Sequence, residues 1–246
     1  MEDPRSNVLE VGNIENSEKK IRIVHISDTH LQHERFLPTI PDGDILVHSG
    51  DFCRIGWKRL LVRPDYSGFL ESINEFFGKV PHKHKIFVAG NHDIMFDKKS
   101  LEDVQKLLPN VTYLQDSSVN IEGINFHGSP WTFYKWTSYN RGFCREQGKI
   151  EHNWDKIPSD TNVVITHLPP YGVMDTFPRK FRPFSKVYDN GGCKVLRQTV
   201  LDRVRPKLHL FGHVHGSAGI ETIDDTVFSN AAFPFRERAH VFDFYI

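Results

Sequence analysis

Hydrophobic residues gather into short runs at 21–27, 45–49, 86–89, 163–166 and 208–211, each bounded by Gly or polar turn residues. Runs of this length with such flanks predict buried strands. Each run stops on side chains that bind metals: Asp28-Thr29-His30, Gly50-Asp51, Gly90-Asn91-His92-Asp93, His167, and Gly212-His213-Val214-His215. In an open α/β sheet the carboxyl edge of the strands is where ligands bind. Five such stops therefore predict one shared site.

Between the runs the periodicity changes. Phe69, Ile73, Phe76 and Phe77 recur at spacings of three and four, which predicts an amphipathic helix between the second and third strands. Ser100 is placed to cap another helix, with Asp103 three residues on and Leu101, Val104, Leu107 and Leu108 apolar, and Pro109-Asn110 ends it. Residues 195–204 predict a third helix, stopped by Arg205-Pro206. Short strands are expected at 111–114, 119–122, 124–127, 218–223, 226–229 and 240–245, with hairpin turns around Gly123 and at Asp224-Asp225. The order is βαβ-like early and β-rich late. It predicts an α/β protein, a four-layer α/β/β/α sandwich of two mixed sheets flanked by helices.

Residues 1–18, polar and without periodicity, read as a flexible N-terminal extension, and 19–246 as a single domain, because motifs from position 28 to 215 must converge. The N-terminus has no apolar core of a signal peptide, and no stretch is apolar enough to span a membrane, so a soluble, cytoplasmic protein is expected. Three cysteines, Cys53, Cys144 and Cys193, form no close pair, which argues against a disulfide framework. Lys and Arg together number 31, as do Asp and Glu, for a formal net charge of zero. That balance offers no global attraction for a nucleic-acid polymer or an anionic membrane. A small anionic substrate can still be held locally by metal ions.

Asp28, His30, Asp51, Asn91, His167, His213 and His215 offer only oxygen and nitrogen donors, a set suited to Mn, Fe or Zn rather than to an iron–sulfur cluster or zinc finger. Gly-His-Val-His puts both imidazoles on one side of an extended segment, because side chains alternate with period two. Seven ligands fit two divalent ions when one carboxylate bridges them. Ions about 3.5–4 Å apart polarise a phosphoryl oxygen, acidify a bridging water and clamp an in-line displacement. That chemistry is phosphoester hydrolysis by a bridging hydroxide. The segment 129–142 carries Trp131, Phe133, Tyr134, Trp136 and Tyr139. These rings either form a stacking wall for a nucleobase or pin their own loop to the core.

In order and type, Asp-x-His, Gly-Asp, Gly-Asn-His-Asp, a lone His and Gly-His-x-His resemble the signature of the calcineurin-like metallophosphoesterase superfamily, over about residues 21–216. The flanking segments His84-Lys85-Ile86, Leu107-Leu108-Pro109-Asn110, Tyr113-Leu114-Gln115-Asp116, Gly128-Ser129-Pro130-Trp131 and Arg205-Pro206-Lys207-Leu208-His209 are most similar to the metallophosphoesterase domain-containing subgroup. The resemblance implies that Asp28, His30 and His215 hold one ion, that Asn91, His167 and His213 hold the other, and that Asp51 bridges them. It implies two divalent ions, Mn before Fe or Zn. It also makes His92 a catalytic residue that, with Asn91, faces the substrate phosphate. Phosphodiester hydrolysis of a nucleotide or cyclic nucleotide is the implied activity; the alternatives are a phosphomonoesterase and a metal- and nucleotide-binding scaffold with little turnover.

One departure stands out. Protein phosphatases of the superfamily carry Gly-Asp-x-x-Asp-Arg, whereas this chain has Gly50-Asp51-Phe52-Cys53-Arg54. Arg54 occupies the second Asp position, which argues against a protein phosphatase and leaves the partner of His92 open. Its guanidinium suits a substrate phosphate or a purely surface role.

Overall fold

The computed structural model describes residues 8–17, 19–54, 67–133, 142–178, 188–232 and 239–246. Two six-stranded mixed sheets dominate it. The first runs in the order Val8–Gly12, His240–Tyr245, Lys20–Ile26, Ile45–His48, His84–Val88, Thr112–Leu114. From Lys20–Ile26 to Thr112–Leu114 every pairing is parallel. The second runs Gly219–Ile223, Thr226–Asn230, Leu208–Phe211, Val163–Thr166, Ile124–Ser129, Ser117–Ile121, parallel in its four central strands and closed by an antiparallel strand at each edge.

Strand alternation sorts the buried side chains into layers. Ile23, Ile45, Val47, Ile86 and Val88 of the first sheet meet Phe126, Val163, Ile165, Leu208 and Leu210 of the second in one shared core. Their neighbours face the other way: Val24, Leu46 and Phe87 pack with Ile73, Phe76 and Phe77 of helix Ser67–Lys79. Val164, Phe211 and Phe228 belong with Trp154, Leu196 and Val200. The expected four-layer α/β/β/α sandwich is thus observed.

Local signals behave as their chemistry requires. Ser100 caps helix Leu101–Leu107, its hydroxyl accepting the Asp103 N–H at 3.1 Å. Asp224 takes a left-handed φ of 51° in the turn between the paired strands Gly219–Ile223 and Thr226–Asn230. The third expected helix begins as Lys194–Gln198 and widens into a π turn, Thr199–Val204, before Arg205 ends it in the left-handed region.

The N-terminal extension needs correction. Val8–Gly12 is an edge strand paired in parallel with His240–Tyr245, and Val11 is buried. Its partner lies more than 200 residues away, and the strand is short, with an exposed Leu9 and a charged Glu10 at its centre. Residues 1–7 and 18 lie outside the described ones. Cys53, Cys144 and Cys193 are free thiols, and among the described residues no helix is long and apolar enough to cross a membrane.

Candidate metal centre

Both sheets deliver their carboxyl edges to one place. Ser27, just past Lys20–Ile26, bridges in parallel to Ala232, just past Thr226–Asn230, so the two sheets are tied where their strands end. Loops then fold over that junction: the Asp28 N–H donates to the Gly50 carbonyl at 2.8 Å, His30 N to Asp51 O at 3.1 Å, and Gly212 N to His167 O at 3.3 Å. Four expected ligands, Asp28, His30, Asp51 and His213, have positive φ between 47° and 68°. Such strain in non-glycine residues costs about 1–3 kcal/mol each and persists where the surroundings over-determine it, as at functional sites.

The side chains meet in two overlapping groups. Asp28 Oδ1 lies 3.0 Å from His215 Nε2 and 3.9 Å from His30 Nε2, and the two imidazole nitrogens are 3.2 Å apart. Asp51 Oδ1 lies 3.4 Å from His167 Nε2, which is 3.3 Å from His213 Nδ1. A third cluster, His30, Asp51 and His92, joins the first two. Atoms bound about 2.1 Å from one cation at tetrahedral or octahedral angles stand about 3.0–3.4 Å from each other. Four of these spacings fall at or within those limits.

Orientation agrees with distance. His30 Nδ1 donates to the Cys53 carbonyl and His167 Nδ1 to the Ser49 carbonyl, each at 2.9 Å. With Nδ1–H so engaged, Nε2 of each ring turns a lone pair inward, the arrangement that backbone carbonyls impose on metal-binding histidines. Asn91 Oδ1 is the telling atom: it is buried with no hydrogen-bond partner in a residue 7% exposed. A buried amide oxygen without a partner is costly, and a cation satisfies it. The residues present therefore fit a divalent metal.

Electrostatics point the same way. Burial works to raise the Asp28 and Asp51 carboxyls, yet the neighbouring histidines hold both well below the usual carboxylate range. Burial works to lower His167, but the Asp51 charge pushes it up to about 9; His215 is likewise raised against burial by Asp28. Two buried carboxylates create a field that selects positive charge, whether proton or metal ion.

Asp28, His30, Asp51, His167, His213 and His215 are thus brought together, and Asn91 follows directly on the Gly90 that packs against Asp51 and His167. His92 stands at the rim, its side chain 16% exposed, its backbone N–H donating to Asp51 Oδ1 at 2.7 Å and its ring 5.0 Å from that of His30. The carboxylate it faces is Asp51 itself, Oδ2 being 3.8 Å from Nε2. Arg54 is exposed, one residue beyond the Cys53 carbonyl that orients His30. Asp93, adjacent to the ligands in sequence, is a brace. Its carboxylate accepts N–H groups of Gly90 and Cys53 at 2.8 Å and Phe52 at 3.3 Å, stitching the Asp51 and Asn91 loops together. Burial and the Asp51 charge push it up to about 7.

Of the aromatic segment, Trp131 is 5% exposed and pinned. Its Nε1–H donates to Asp116, and the Arg145 guanidinium lies 3.6 Å over its ring. Pinning, not stacking on a base, is what Trp131 does; Tyr134, Trp136 and Tyr139 lie outside the described residues. His25, His48 and His209 are fully buried, and each bonds a serine or threonine hydroxyl.

Comparison with known proteins agrees with this geometry. The family model described as calcineurin-like phosphoesterase matches residues 21–217. A Caenorhabditis elegans protein named UPF0046 protein C25E10.12 is 40% identical over 233 residues, spanning 87% of this chain and 76% of its own. Human metallophosphoesterase domain-containing protein 1 is 34% identical over 236 residues, covering 86% of this chain and 65% of its own. The crystal structure of TT1561 of Thermus thermophilus shares the fold at a TM-score of 0.55 and 12% identity, covering 91% of this chain and 98% of that one.

Proposed function

The chain belongs to the calcineurin-like phosphoesterase family and is a metal-dependent phosphoesterase, and on that premise we propose that it hydrolyses a small phosphodiester, a nucleotide or cyclic nucleotide. The observation that supports the reading is the convergence of Asp28, His30, Asp51, His167, His213 and His215, together with the buried Asn91 oxygen that has no hydrogen-bond partner. In this reading Asp28, His30 and His215 would hold one ion and Asn91, His167 and His213 the other, with Asp51 serving both and Mn first among the candidate metals. When bound, such a pair supplies a water of pKa about 7 and charge to draw in the phosphoryl oxygens for in-line displacement.

The chain's own groups do the rest. His92, the imidazole at the rim, would donate a proton to the departing oxygen, the part a positioned general acid plays in such a displacement. Asp51 accepts the His92 backbone N–H, so one carboxylate fixes both the charge at the centre and the place of the acid. Arg54, exposed beside the Gly50–Cys53 loop, suits a phosphate oxygen. The diester preference rests on the flanking segments and on Arg54 standing where protein phosphatases carry Asp.

The test pairs a nitrophenyl phosphate monoester with a nitrophenyl phosphodiester in Mn²⁺. Faster turnover of the diester, abolished in Asp51→Ala, is expected. Strong preference for the monoester overturns the diester assignment. Tight nucleotide binding without turnover in well-folded protein makes the chain a scaffold instead.

A further inference from the structure

The strand Thr226–Asn230 is a sixth buried strand that ends on a polar residue at the same sheet edge, and it lies beyond the part of the chain matched by the family model. Its register sets Asn230 beside Phe211, immediately before the Gly212–His215 turn. Asn230 is fully buried. Its Nδ2 donates to the Val214 carbonyl at 3.0 Å and to the Met174 carbonyl at 3.1 Å, while Oδ1 accepts the Ala232 N–H at 3.2 Å. Both amide hydrogens are thus committed to backbone oxygens.

Val214 is the residue between His213 and His215. Fixing its carbonyl fixes the plane of the peptide that joins it to His215, and with it the direction in which that imidazole leaves the chain. His213, on the other side, has a φ of 68°, a conformation that needs external support. Several bonds clamp this turn, among them the Val214 N–H to the Gly212 carbonyl at 2.8 Å. Asp28 Oδ2 accepts the His213 N–H at 3.0 Å, the Ser217 N–H reaches the Val214 carbonyl at 3.1 Å, and Asn230 supplies a further bond from another strand. Met174, the second carbonyl it holds, also has a positive φ, of 45°, in the loop that follows His167. One amide therefore fastens the segments that follow two ligand-bearing strands of the second sheet.

We propose that Asn230 is a positioning residue for the metal centre: it holds His213 and His215 in register by bonding the carbonyl between them. The inference rests on the metal-centre reading above. Partners that orient metal ligands in this way typically change metal affinity by about 10–100-fold when removed.

The test is calorimetric titration of the metal-free chain with Mn²⁺, reporting affinity and stoichiometry for the folded protein. Asn230→Ala removes both donors; Asn230→Ser, whose hydroxyl is too short to span to either carbonyl, is the milder version should the first not fold. Val227→Ala, a core truncation on the same strand, is the matched control for lost stability. The Asn230 variants are expected to bind Mn²⁺ about 10–100-fold more weakly, with turnover recovering as Mn²⁺ is raised, while Val227→Ala melts lower yet keeps the parent affinity within about twofold. Asn230 variants with parental affinity overturn the proposal alone, as does equal weakening in Val227→Ala. A parent chain that takes up no Mn²⁺ overturns the metal-centre reading and this inference with it.

Discussion

Adding one methyl group at two glycines should have opposite consequences. A Cβ at Gly90 would stand 2.8 Å from His167 Cε1 and would collide with the backbone nitrogen and Oδ1 of Asp51. Ordinary contact is about 3.5–4.0 Å, so the His167 ring must retreat by about 0.7 Å or more. That shift works against the buried ring's bond to the Ser49 carbonyl, and Asp51 is already held at a φ of 54°. Overpacking of this kind costs about 1–3 kcal/mol. For a chain of this size that lowers Tm by about 2–4 °C per kcal/mol. A displacement near 1 Å at reacting groups costs about 100-fold in rate. At Gly68, in helix Ser67–Lys79, a Cβ would meet nothing within 4 Å, so Gly68→Ala should stabilise by about 0.4–1 kcal/mol through reduced unfolded-chain entropy. Thermal melts and Mn²⁺-dependent hydrolysis of a nitrophenyl phosphodiester read both effects. Gly90→Ala with activity within about threefold of the parent would refute the claim that this glycine exists to let the Asp51 and His167 loops touch.

Other outcomes follow from the same coordinates. Asp51→Asn removes the central negative charge while keeping its shape, and should lower turnover by about 10³-fold, equivalent to about 4 kcal/mol of transition-state stabilisation; a loss under about tenfold contradicts its role. Asp116→Ala strips the acceptor from Ser129 Oγ, Trp131 Nε1, Asn153 Nδ2 and Lys156 Nζ, all within 2.9 Å, and should cost about 3–5 kcal/mol in denaturant unfolding; a change below about 1 kcal/mol shows that the hub is dispensable. Burial lowers His48 and His209 to about 3 and His33 and His127 to about 4. Unfolded chains protonate these rings from about pH 6.5 downward, so stability that is full above that value is lost as pH falls toward the folded pKa values, at about 1.4 kcal/mol per pH unit for each ring. Cooperative acid unfolding is expected above about pH 4, and native near-ultraviolet dichroism persisting at about pH 3 would contradict it.

The site is legible in the sequence because its chemistry sits where buried strands end. The runs before Asp28, Asp51, Asn91, His167 and His213 are strongly apolar, and a polar residue after such a run has few reasons to be there. The same logic extends to Asn230, but Thr226–Asn230 is interrupted by Ser229, which bonds His25 across the sheets and dilutes the signal. Asp93 is visible as a motif residue yet not as a brace, because its partners are backbone N–H groups that no sequence displays. The edge strand Val8–Gly12 looks like an extension for a different reason: its pairing is with the far end of the chain. The π turn at Thr199–Val204 likewise leaves no mark in side-chain periodicity.

The central claim is that groups distant in the chain share two neighbouring cations. Crystals of the chain grown with Mn²⁺ and measured by anomalous scattering test it most directly. Two peaks about 3.5–4 Å apart are predicted, Asp51 touching both, with Asp28, His30 and His215 on one and Asn91, His167 and His213 on the other. A single peak, or peaks with Asn91 Oδ1 turned away from both, would contradict the account.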